Sequence, residues 1–332
     1  MKKFAILLIA LAVVSTGAFA QTKAKIGATI YKFDDTFMSY VRGKIESEAK
    51  AAGVTISVQD GQGDQSKVND IVDLYLTQGY NALAINMVEP AAANVVIQKA
   101  AAKKVPVVFF NREPGDLDLA KYPGVYYVGA KAQESGTMQG QIIVNYWKSH
   151  PEADKNKDGK LQYVMLIGDP ANTDAKYRTQ YSIQAVTDAG IKVDKLAEDT
   201  AMWQRGDAQN KMQAWLAKFG DQIEVVFANN DDMGLGAIEA LKAAGYFSGK
   251  KYMPVVSVDA TPPALDALQQ GTLLGTVLND AVNQGKATYD LAAQLGAKAT
   301  TIKTVAPLAN KDGKVDPNGH YIWVPYQMVT KK

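Results

Sequence analysis

The stretch "QSKVNDIVDLYLTQGYNALAIN" at residues 65–86 has a counterpart in "AQNKMQAWLAKFGDQIEVVFAN" at residues 208–229. Each stretch contains an amphipathic helix pattern, a glycine that marks a turn, a continuous apolar run and a closing Asn. A continuous apolar run is typical of a strand that is buried on both faces of a parallel sheet. Because the same order recurs in both halves of the chain, it predicts two related α/β units.

The same alternation of short apolar runs and longer amphipathic ones extends along most of the 332 residues. Helices are predicted at about 174–189, 205–219, 232–244 and 262–270. The predicted strands exceed the roughly ten that one open sheet holds without splitting. We therefore expect an α/β protein with two Rossmann-like lobes, each built from a parallel sheet flanked by helices.

The first twenty residues, "MKKFAILLIALAVVSTGAFA", have the pattern of a secretory signal peptide. Lys2 and Lys3 precede an apolar run, and the small residues of Ala18-Phe19-Ala20 predict cleavage after Ala20. A membrane anchor is the alternative, but the run is shorter than the ~20 residues that span a bilayer. The sequence therefore predicts export.

Composition excludes several classes of function. The chain has 36 basic and 34 acidic residues, and loss of Lys2 and Lys3 with the signal peptide leaves 34 of each. A neutral surface argues against nucleic acid and anionic membranes as partners. The absence of Cys excludes disulfides, thiol catalysis and lipid attachment at Cys. A His-dependent catalytic triad would have to use His150 or His320, because the chain has only two His.

Short polar residues follow many of the predicted strands. In open α/β sheets, ligands bind beyond the carboxyl ends of the strands. Each such residue could instead cap a helix or form an Asx turn. As a set they predict a site for a neutral polyol, since carboxylates accept from hydroxyls and amides both donate and accept. The set comprises Asp34, Asp35, Asn86, Asn111, Asn229, Asn230, Asp231, Asp259, Asn279 and Asp280.

Two aromatic residues and one charged pair are further candidates. Phe37 and Trp203 could cover the apolar face of a sugar, although ordinary packing explains Trp203 equally well. Asp174 and Arg178 are four residues apart on a predicted helix and so share one face. The alternative for this pair is an exposed ion pair.

The stretch "DKNKDGKLQYVM" at residues 154–165 resembles a calcium-binding loop. Asp154, Asn156 and Asp158 stand at alternate positions, and Gly159 is sixth, where such loops turn. The twelfth position, which normally carries a bidentate Glu, is a Met. The loop alone is equally compatible with a solvated turn.

Longer stretches are similar to a known family. "YKFDDTF", "VPVVFFNREP", "DTAMW", "VVFANND", "VVSVDATPPAL" and "GTVLNDAVNQGKAT" resemble the type I periplasmic binding proteins for D-galactose and D-glucose, over nearly the whole mature chain. The resemblance implies two lobes joined by three crossover strands, with a sugar trapped between them. It also implies a monomeric, non-enzymatic protein of the periplasm that delivers sugar to the membrane subunits of an ABC transporter. Some members also signal to a chemoreceptor.

The resemblance also suggests domain boundaries. Residues 21–130 and 280–322 are expected to form the N-terminal lobe, and residues 131–279 and 323–332 the C-terminal lobe. The C-terminus is shorter than the family pattern, so the final family helix is expected to be missing.

The family's sugar contacts match positions that the residue pattern also favours. The resemblance implies that Phe37 and Trp203 sandwich the sugar ring, while polar residues bond its hydroxyls. Asn172 stands where the family has His, and its amide can still bond a hydroxyl, with consequences for affinity and epimer preference. The implied polar contacts, besides Asn172, are Asp35, Asn111, Asp174, Arg178, Asn230, Asp259 and Asn279.

The resemblance completes the calcium loop as well. In the family a Glu from a remote strand supplies the missing bidentate ligand, and the matching residue is Glu224. The expected site is structural and has seven oxygens, a number typical of Ca²⁺. They come from the side chains of Asp154, Asn156, Asp158, Gln162 and Glu224, and from the carbonyl of Lys160.

Three other functions remain open at the level of sequence. A binding protein for another monosaccharide, such as ribose or xylose, would share the fold. An exported carbohydrate-active enzyme could use Asp174 and Asp259 as its carboxylate pair. A transcriptional regulator with this architecture is disfavoured by the export signal and by the lack of a helix-turn-helix pattern.

Overall fold

The computed structural model describes residues 23–114, 122–299, 302 and 320–331. The predicted signal peptide therefore lies outside the described residues. Within the described part of the chain, no helix combines the length and apolar character needed to cross a bilayer.

Two six-stranded sheets form the framework, which confirms the prediction of two α/β lobes. The first sheet is parallel throughout and has the order β2-β1-β3-β4-β5-β11. The second has the order β7-β6-β8-β9-β10-β12, with β12 antiparallel to β10. The strands are β1 (Lys25–Ile30), β2 (Thr55–Asp60), β3 (Ala82–Ile85), β4 (Val107–Phe110), β5 (Val125–Gly129), β6 (Lys160–Ile167), β7 (Lys192–Thr200), β8 (Val225–Ala228), β9 (Val255–Val256), β10 (Gly275–Leu278), β11 (Tyr321–Trp323) and β12 (Gln327–Thr330).

Helices cover both faces of each sheet, as continuous apolar strands require. In the first lobe, α1 and α9 share one buried cluster with the sheet, and α2 and α3 share another. In the second lobe, α6, α7 and α8 cover one face, and α4 and α5 the other. The helices are α1 (Thr36–Ala52), α2 (Gln65–Thr77), α3 (Ala93–Lys103), α4 (Ala132–Ser149), α5 (Thr173–Asp188), α6 (Arg205–Phe219), α7 (Asp231–Ala243), α8 (Pro262–Gln269) and α9 (Ala281–Gly296).

Within the described residues, the chain passes between the lobes three times. It leaves the first sheet after β5, returns after β10 and crosses again between β11 and β12. Trp323 belongs to β11 of the first sheet, although the sequence assigned residue 323 to the second lobe. The predicted domain boundaries otherwise stay a prediction.

Polar residues that follow strands cap the N-termini of several of these helices. Their side-chain oxygens accept hydrogen bonds from the first free N–H groups of the helix, which stabilises its N-terminus. Because the strands are parallel, these caps collect at the carboxyl ends of both sheets. The caps are Asp35 for α1, Asp64 for α2, Asn172 for α5, Asn230 for α7 and Asp280 for α9.

Helices α4 and α5 pack very closely in the second lobe. Gly136 and Gly140 face α5, and a Cβ at Gly140 would overlap the carbonyl oxygen of Ser182. Since that obstacle is backbone, it cannot rotate away. The close approach of the two helices therefore depends on glycine at this position.

We expect Gly140→Ala to lower the free energy of unfolding by about 1–3 kcal/mol, because the added methyl forces the helices apart. Gly43→Ala is the matched control, since Gly43 lies in α1 and a Cβ there meets no atom within 4 Å. It should stabilise the protein by about 0.5–1 kcal/mol through helix propensity. Urea denaturation measures both values, and an unchanged midpoint for Gly140→Ala would contradict the packing argument.

Candidate functional site: the cleft between the lobes

A cleft lies where the carboxyl ends of the two sheets face each other. All ten residues that the sequence predicted for sugar binding line it. Tyr31, Met38 and Arg112 also line it and were not predicted. The predicted set is Asp35, Phe37, Asn111, Asn172, Asp174, Arg178, Trp203, Asn230, Asp259 and Asn279.

The first lobe contributes an aromatic wall beside a carboxylate. Asp35 Oδ1 caps α1 by accepting from the Met38 N–H at 2.8 Å, and Oδ2 accepts from the Tyr31 hydroxyl at 2.5 Å. Burial raises the pKa of Asp35, although these hydrogen bonds oppose the rise. Phe37, the second residue of the same helix, is only 7% exposed. The lobe thus presents a phenyl ring and an acceptor-rich carboxylate together.

Asn111 enters the cleft because the backbone turns sharply after β4. Its φ of +61° is in the left-handed region, which Asn adopts more readily than most residues. Its N–H donates to the Val128 carbonyl at 2.9 Å, and its own carbonyl accepts from the Tyr127 hydroxyl at 2.8 Å. Asn86 lies behind it, fully buried, and donates to the Phe110 carbonyl. Asn86 is therefore scaffolding, although the sequence pattern did not distinguish it from Asn111.

Arg178 is the buried cation of the second lobe and is only 3% exposed. Its Nη2 donates to Asp174 Oδ2 at 3.0 Å and to the Tyr326 hydroxyl at 3.3 Å. Its Nη1 donates to the Asn229 carbonyl at 2.8 Å and lies 3.8 Å from Asp259 Oδ1. The alternative of an exposed Asp174–Arg178 ion pair is thus wrong, because both side chains are buried.

Burial and the cation of Arg178 have opposite effects on the ionisation of the two neighbouring carboxylates, Asp174 and Asp259. Burial raises the pKa of both Asp174 and Asp259, and the guanidinium of Arg178 lowers it. For Asp259 burial is the main cause of the rise, and the nearby carboxylates of Asp231 and Asp35 also oppose its ionisation. One buried cation therefore offsets two acidic groups that face the same space.

Two buried donors at the cleft have no hydrogen-bond partner among the described residues. They are Arg178 Nε and Trp203 Nε1. An unpaired buried N–H is costly, so such groups indicate a place where another molecule accepts. The Trp203 indole packs directly on Gly168, where any Cβ would overlap the ring. Trp203 is thus both a core residue and a wall of the cleft.

Asn172 has only part of its amide available to a ligand. Its Oδ1 caps α5 by accepting from the Asp174 N–H at 2.9 Å. The remaining Nδ2 group can donate but cannot accept. The sequence predicts an amide that can bond a hydroxyl, and the helix start takes up one of the two lone pairs of its oxygen.

The last three predicted residues form the floor of the second-lobe side. Asn230 Oδ1 accepts from the Met233 N–H at 3.0 Å, and its Nδ2 donates to the Trp203 carbonyl at 3.3 Å. Asn279 Nδ2 donates to Asp259 Oδ1 at 3.2 Å. These contacts fix both amides and aim a carboxylate at the cleft.

Arg112 connects the two lobes across the cleft. Its guanidinium lies 3.7 Å from the centre of the Tyr31 ring, and Nη1 donates to the Val88 carbonyl at 2.6 Å. The same nitrogen reaches Asp169 Oδ2 in the second lobe at 3.2 Å. The position of Arg112 directly after Asn111 could have indicated that it lines the cleft. It was not predicted because the candidates were chosen among amides and carboxylates rather than cations.

The predicted calcium loop is ordered by its own side chains. Asp154 accepts from the N–H groups of Asp158 and Gly159, and Asp158 Oδ1 accepts from the Lys160 N–H. Asn156 Oδ1 also accepts from the Asp158 N–H, at 3.0 Å. Such contacts are those of an Asx-rich turn.

Glu224 lies against this loop because β8 pairs with β6. Its two oxygens accept from the N–H groups of Lys155 and Gln162, at 2.6 and 2.9 Å. Gln162 Nε2 donates to Asp158 Oδ2, whereas Gln162 Oε1 is buried without a partner in the described structure. Among the described residues, no three His, Cys, Asp or Glu side chains come close enough together to hold a metal. The unpaired amide oxygen between carboxylates nevertheless fits an oxygen-ligated cation.

A two-lobed α/β fold with a polar, aromatic-walled cleft defines a protein that encloses a small ligand between hinged domains. Residues 26–299 match the family model described as "Periplasmic binding protein domain". The chain belongs to the periplasmic binding protein family.

Relatives with curated names place the chain more closely. It is 46% identical to the D-galactose/methyl-galactoside binding periplasmic protein MglB of Haemophilus influenzae, over 90% of this chain and 91% of the relative. It is 30% identical to a xylitol-binding protein of Mycolicibacterium smegmatis, over 91% of this chain and 77% of the relative. A solved ABC transporter solute binding protein from Bacillus halodurans with bound myo-inositol has the same fold, with a TM-score of 0.77 and 23% identity over 93% of this chain and 95% of that one.

We expect Arg178→Met to lower the free energy of unfolding by about 3–5 kcal/mol, because it leaves two buried carboxyl groups without their cation. The loss should shrink as the pH falls. Without Arg178 the pKa values of Asp174 and Asp259 rise further, so protonation relieves the buried charge.

Arg205→Met provides the control for this substitution. Arg205 pairs with Asp232 at 2.7 Å, but its side chain is 39% exposed. Loss of such a pair costs about 0–1 kcal/mol. Urea unfolding at several pH values measures both variants, and equal losses would show that Arg178 is not the buried counter-ion described above.

Proposed function

We propose that this protein is a periplasmic sugar-binding protein that traps D-galactose or D-glucose between its lobes. The observation that carries the proposal is the composition of the cleft. It combines buried carboxylates, amides and unpaired N–H donors with Phe37 and Trp203. The 46% identical relative named for D-galactose and methyl-galactoside supports this choice of sugar.

The chemistry of the cleft suits a neutral pyranose. Carboxylates can accept only, so Asp35, Asp174 and Asp259 would take hydroxyl protons. The free donors of Arg178, Trp203 and Asn172 would bond sugar oxygens. Hydrogen bonds to charged partners are roughly twice as strong as neutral ones, which favours tight retention of an uncharged ligand. Such a site rejects analogues that lack a hydroxyl, since buried groups would be left unpaired.

Closure would follow from contacts that exist only when the lobes meet. A ligand held by Phe37 and Trp203 at once stabilises the closed form, because it gains those contacts in that form alone. The Arg112–Asp169 ion pair also joins the two lobes and would add to that stability. We propose that the closed monomer presents sugar to the membrane subunits of an ABC transporter in the periplasm, and that it also serves a chemoreceptor.

We further propose that the 154–162 loop and Glu224 hold a structural Ca²⁺. The support is the ligand chemistry, with Asp154, Asn156 and Asp158 at alternate positions and the unpaired Gln162 Oε1 nearby. Hard oxygen ligands of this kind prefer Ca²⁺, and the Lys160 carbonyl would complete the set. The ion would tie the loop to the strand that begins after Glu224.

Calorimetric titration with D-galactose, D-glucose, D-ribose and D-xylose tests the sugar proposal directly. We expect binding of the two hexoses, with the sugar recovered unchanged and tryptophan fluorescence altered. Trp203→Ala should weaken hexose binding at least about 30-fold, the scale of an interface hot spot of about 2 kcal/mol.

Trp215→Phe is the control for the tryptophan experiment, because Trp215 belongs to α6 and lies in the core of the second lobe rather than at the cleft. It should retain both binding and the fluorescence change. Tighter binding of a pentose would reassign the ligand, and conversion of sugar to product would favour the carbohydrate-active enzyme. No heat with any sugar would contradict the proposal.

Chelation tests the calcium proposal. We expect EDTA to lower the melting temperature of the wild type, since a ligand present at about 100 times its Kd contributes about 2.7 kcal/mol to stability. Glu224→Gln should remove most of this dependence while hexose recognition remains. Asp221→Asn is the control, because Asp221 is close in sequence but 82% exposed. A wild-type melting temperature that changes neither with EDTA nor with added calcium would contradict the proposed site.

A further inference from the structure

Asp231 is a buried carboxylate that is not among the residues lining the cleft in the described part of the chain. It begins α7, directly after Asn230, and is 1% exposed. Its Oδ1 accepts from the Ser257 hydroxyl at 2.5 Å and the Thr276 hydroxyl at 2.8 Å. Its Oδ2 accepts from the Thr261 N–H at 2.6 Å and the Thr261 hydroxyl at 2.9 Å.

The donors to Asp231 surround the turn that carries Asp259. Ser257 lies two residues before Asp259, Thr261 lies two residues after it, and Thr276 belongs to the neighbouring strand β10. Both sides of this turn, and strand β10, are therefore attached to one carboxylate. Because Asp231 follows Asn230 directly, the same contact also links the turn to the start of α7.

The turn has an unusual backbone conformation. Asp259 has a φ of +128° and the next residue, Ala260, a φ of +54°. Two successive positive φ values without glycine are strained, and such strain persists only where surrounding contacts enforce it. The Ala260 N–H donates to the Thr276 hydroxyl at 3.2 Å, and that hydroxyl donates in turn to Asp231. Asp231 is thus connected to the strained residue Ala260 through the hydroxyl of Thr276.

The donor count leaves Asp231 no role in direct ligand binding. An ionised carboxylate only accepts, and here each oxygen already accepts twice from protein groups. The negative charge of Asp231 also disfavours ionisation of nearby Asp259, so it opposes a charged carboxylate at the cleft. Its hydrogen bonds must outweigh that repulsion for the turn to hold its shape.

We propose that Asp231 is a positioning residue for ligand binding, which acts by holding the Ser257–Thr261 turn so that Asp259 faces the cleft. This inference rests on the proposed sugar-binding function. It assigns to Asp231 a role in affinity that a merely structural buried residue would not have.

Asp231→Asn is the first test, with titrations of D-galactose and D-glucose. The substituted amide can accept through one oxygen only and places an NH₂ group against donors. We expect binding at least about 10-fold weaker, within the range of coupling between residues of one hydrogen-bond network. Glu239→Gln is the matched control, because it makes the same chemical change on α7 at a side chain that is 45% exposed and lies beside Arg205 rather than at the cleft. It should change affinity less than about 2-fold.

Two further measurements separate positioning from stability. Ile143→Val removes a buried carbon from α4, a helix with no residue among those lining the cleft in the described part of the chain, so it should destabilise the same lobe and leave affinity unchanged. Hydrogen exchange in the sugar-free protein should accelerate within residues 257–261 in Asp231→Asn but not in Glu239→Gln or Ile143→Val. Thr276→Val, which removes one donor and keeps the side-chain shape, should reproduce both effects if Asp231→Asn fails to fold.

The outcomes distinguish this inference from the function on which it rests. A wild type that binds no monosaccharide contradicts the proposed function. A wild type that binds hexose, with Asp231→Asn or Thr276→Val binding equally well, overturns the positioning role. Weaker binding with unchanged exchange at residues 257–261 overturns it too, because the effect would not act through the turn.

Discussion

The burial of the Arg178 guanidinium is the constraint on which the second-lobe side of the cleft depends. A cation without water needs several acceptors at once, and each of these comes from a different element. Asp174 lies one turn before Arg178 on α5. The Asn229 carbonyl lies directly after β8, and Asp259 follows β9. The Tyr326 hydroxyl lies after the last crossing of the chain between the lobes and accepts from Arg178. A single side chain therefore fixes the relative positions of four segments.

Many polar residues at the strand ends serve two purposes. Asp35, Asn172 and Asn230 each satisfy the N–H groups of a helix and line the cleft with their remaining atoms. This sharing limits what each can offer, as Asn172 shows by giving one lone pair of its Oδ1 to the start of α5. The start of a helix and the recognition of a ligand are thus determined by the same atoms. A substitution at one of these positions changes both.

The sequence could predict the edge at which the site lies, because the alternation of apolar strands and helices places the carboxyl ends of parallel strands together. It could not predict which polar side chain turns inward. Asn86 and Asn111 both end strands, yet Asn86 is scaffolding and Asn111, with its positive φ, lines the cleft. Arg112 and Tyr31 escaped prediction because their position depends on a stacking contact between two distant segments. Glu224 had no local signal, and only the resemblance selected it.

The distribution of the first lobe along the chain bears on how the molecule assembles. Helix α9 packs against α1 and shares the buried cluster beneath β1, β3 and β4, yet it lies beyond residue 280. The edge strand β11 comes later still. Each lobe has five of its six strands in one continuous span, but the second lobe also has all its described helices before residue 278, whereas α9 of the first lobe comes after it. A chain delivered from its N-terminus can therefore cover both faces of the later sheet first, while one face of the earlier sheet is covered by α1 alone. The earlier lobe is complete only when α9 and β11, from about the last sixth of the polypeptide, have returned to the half made at the outset.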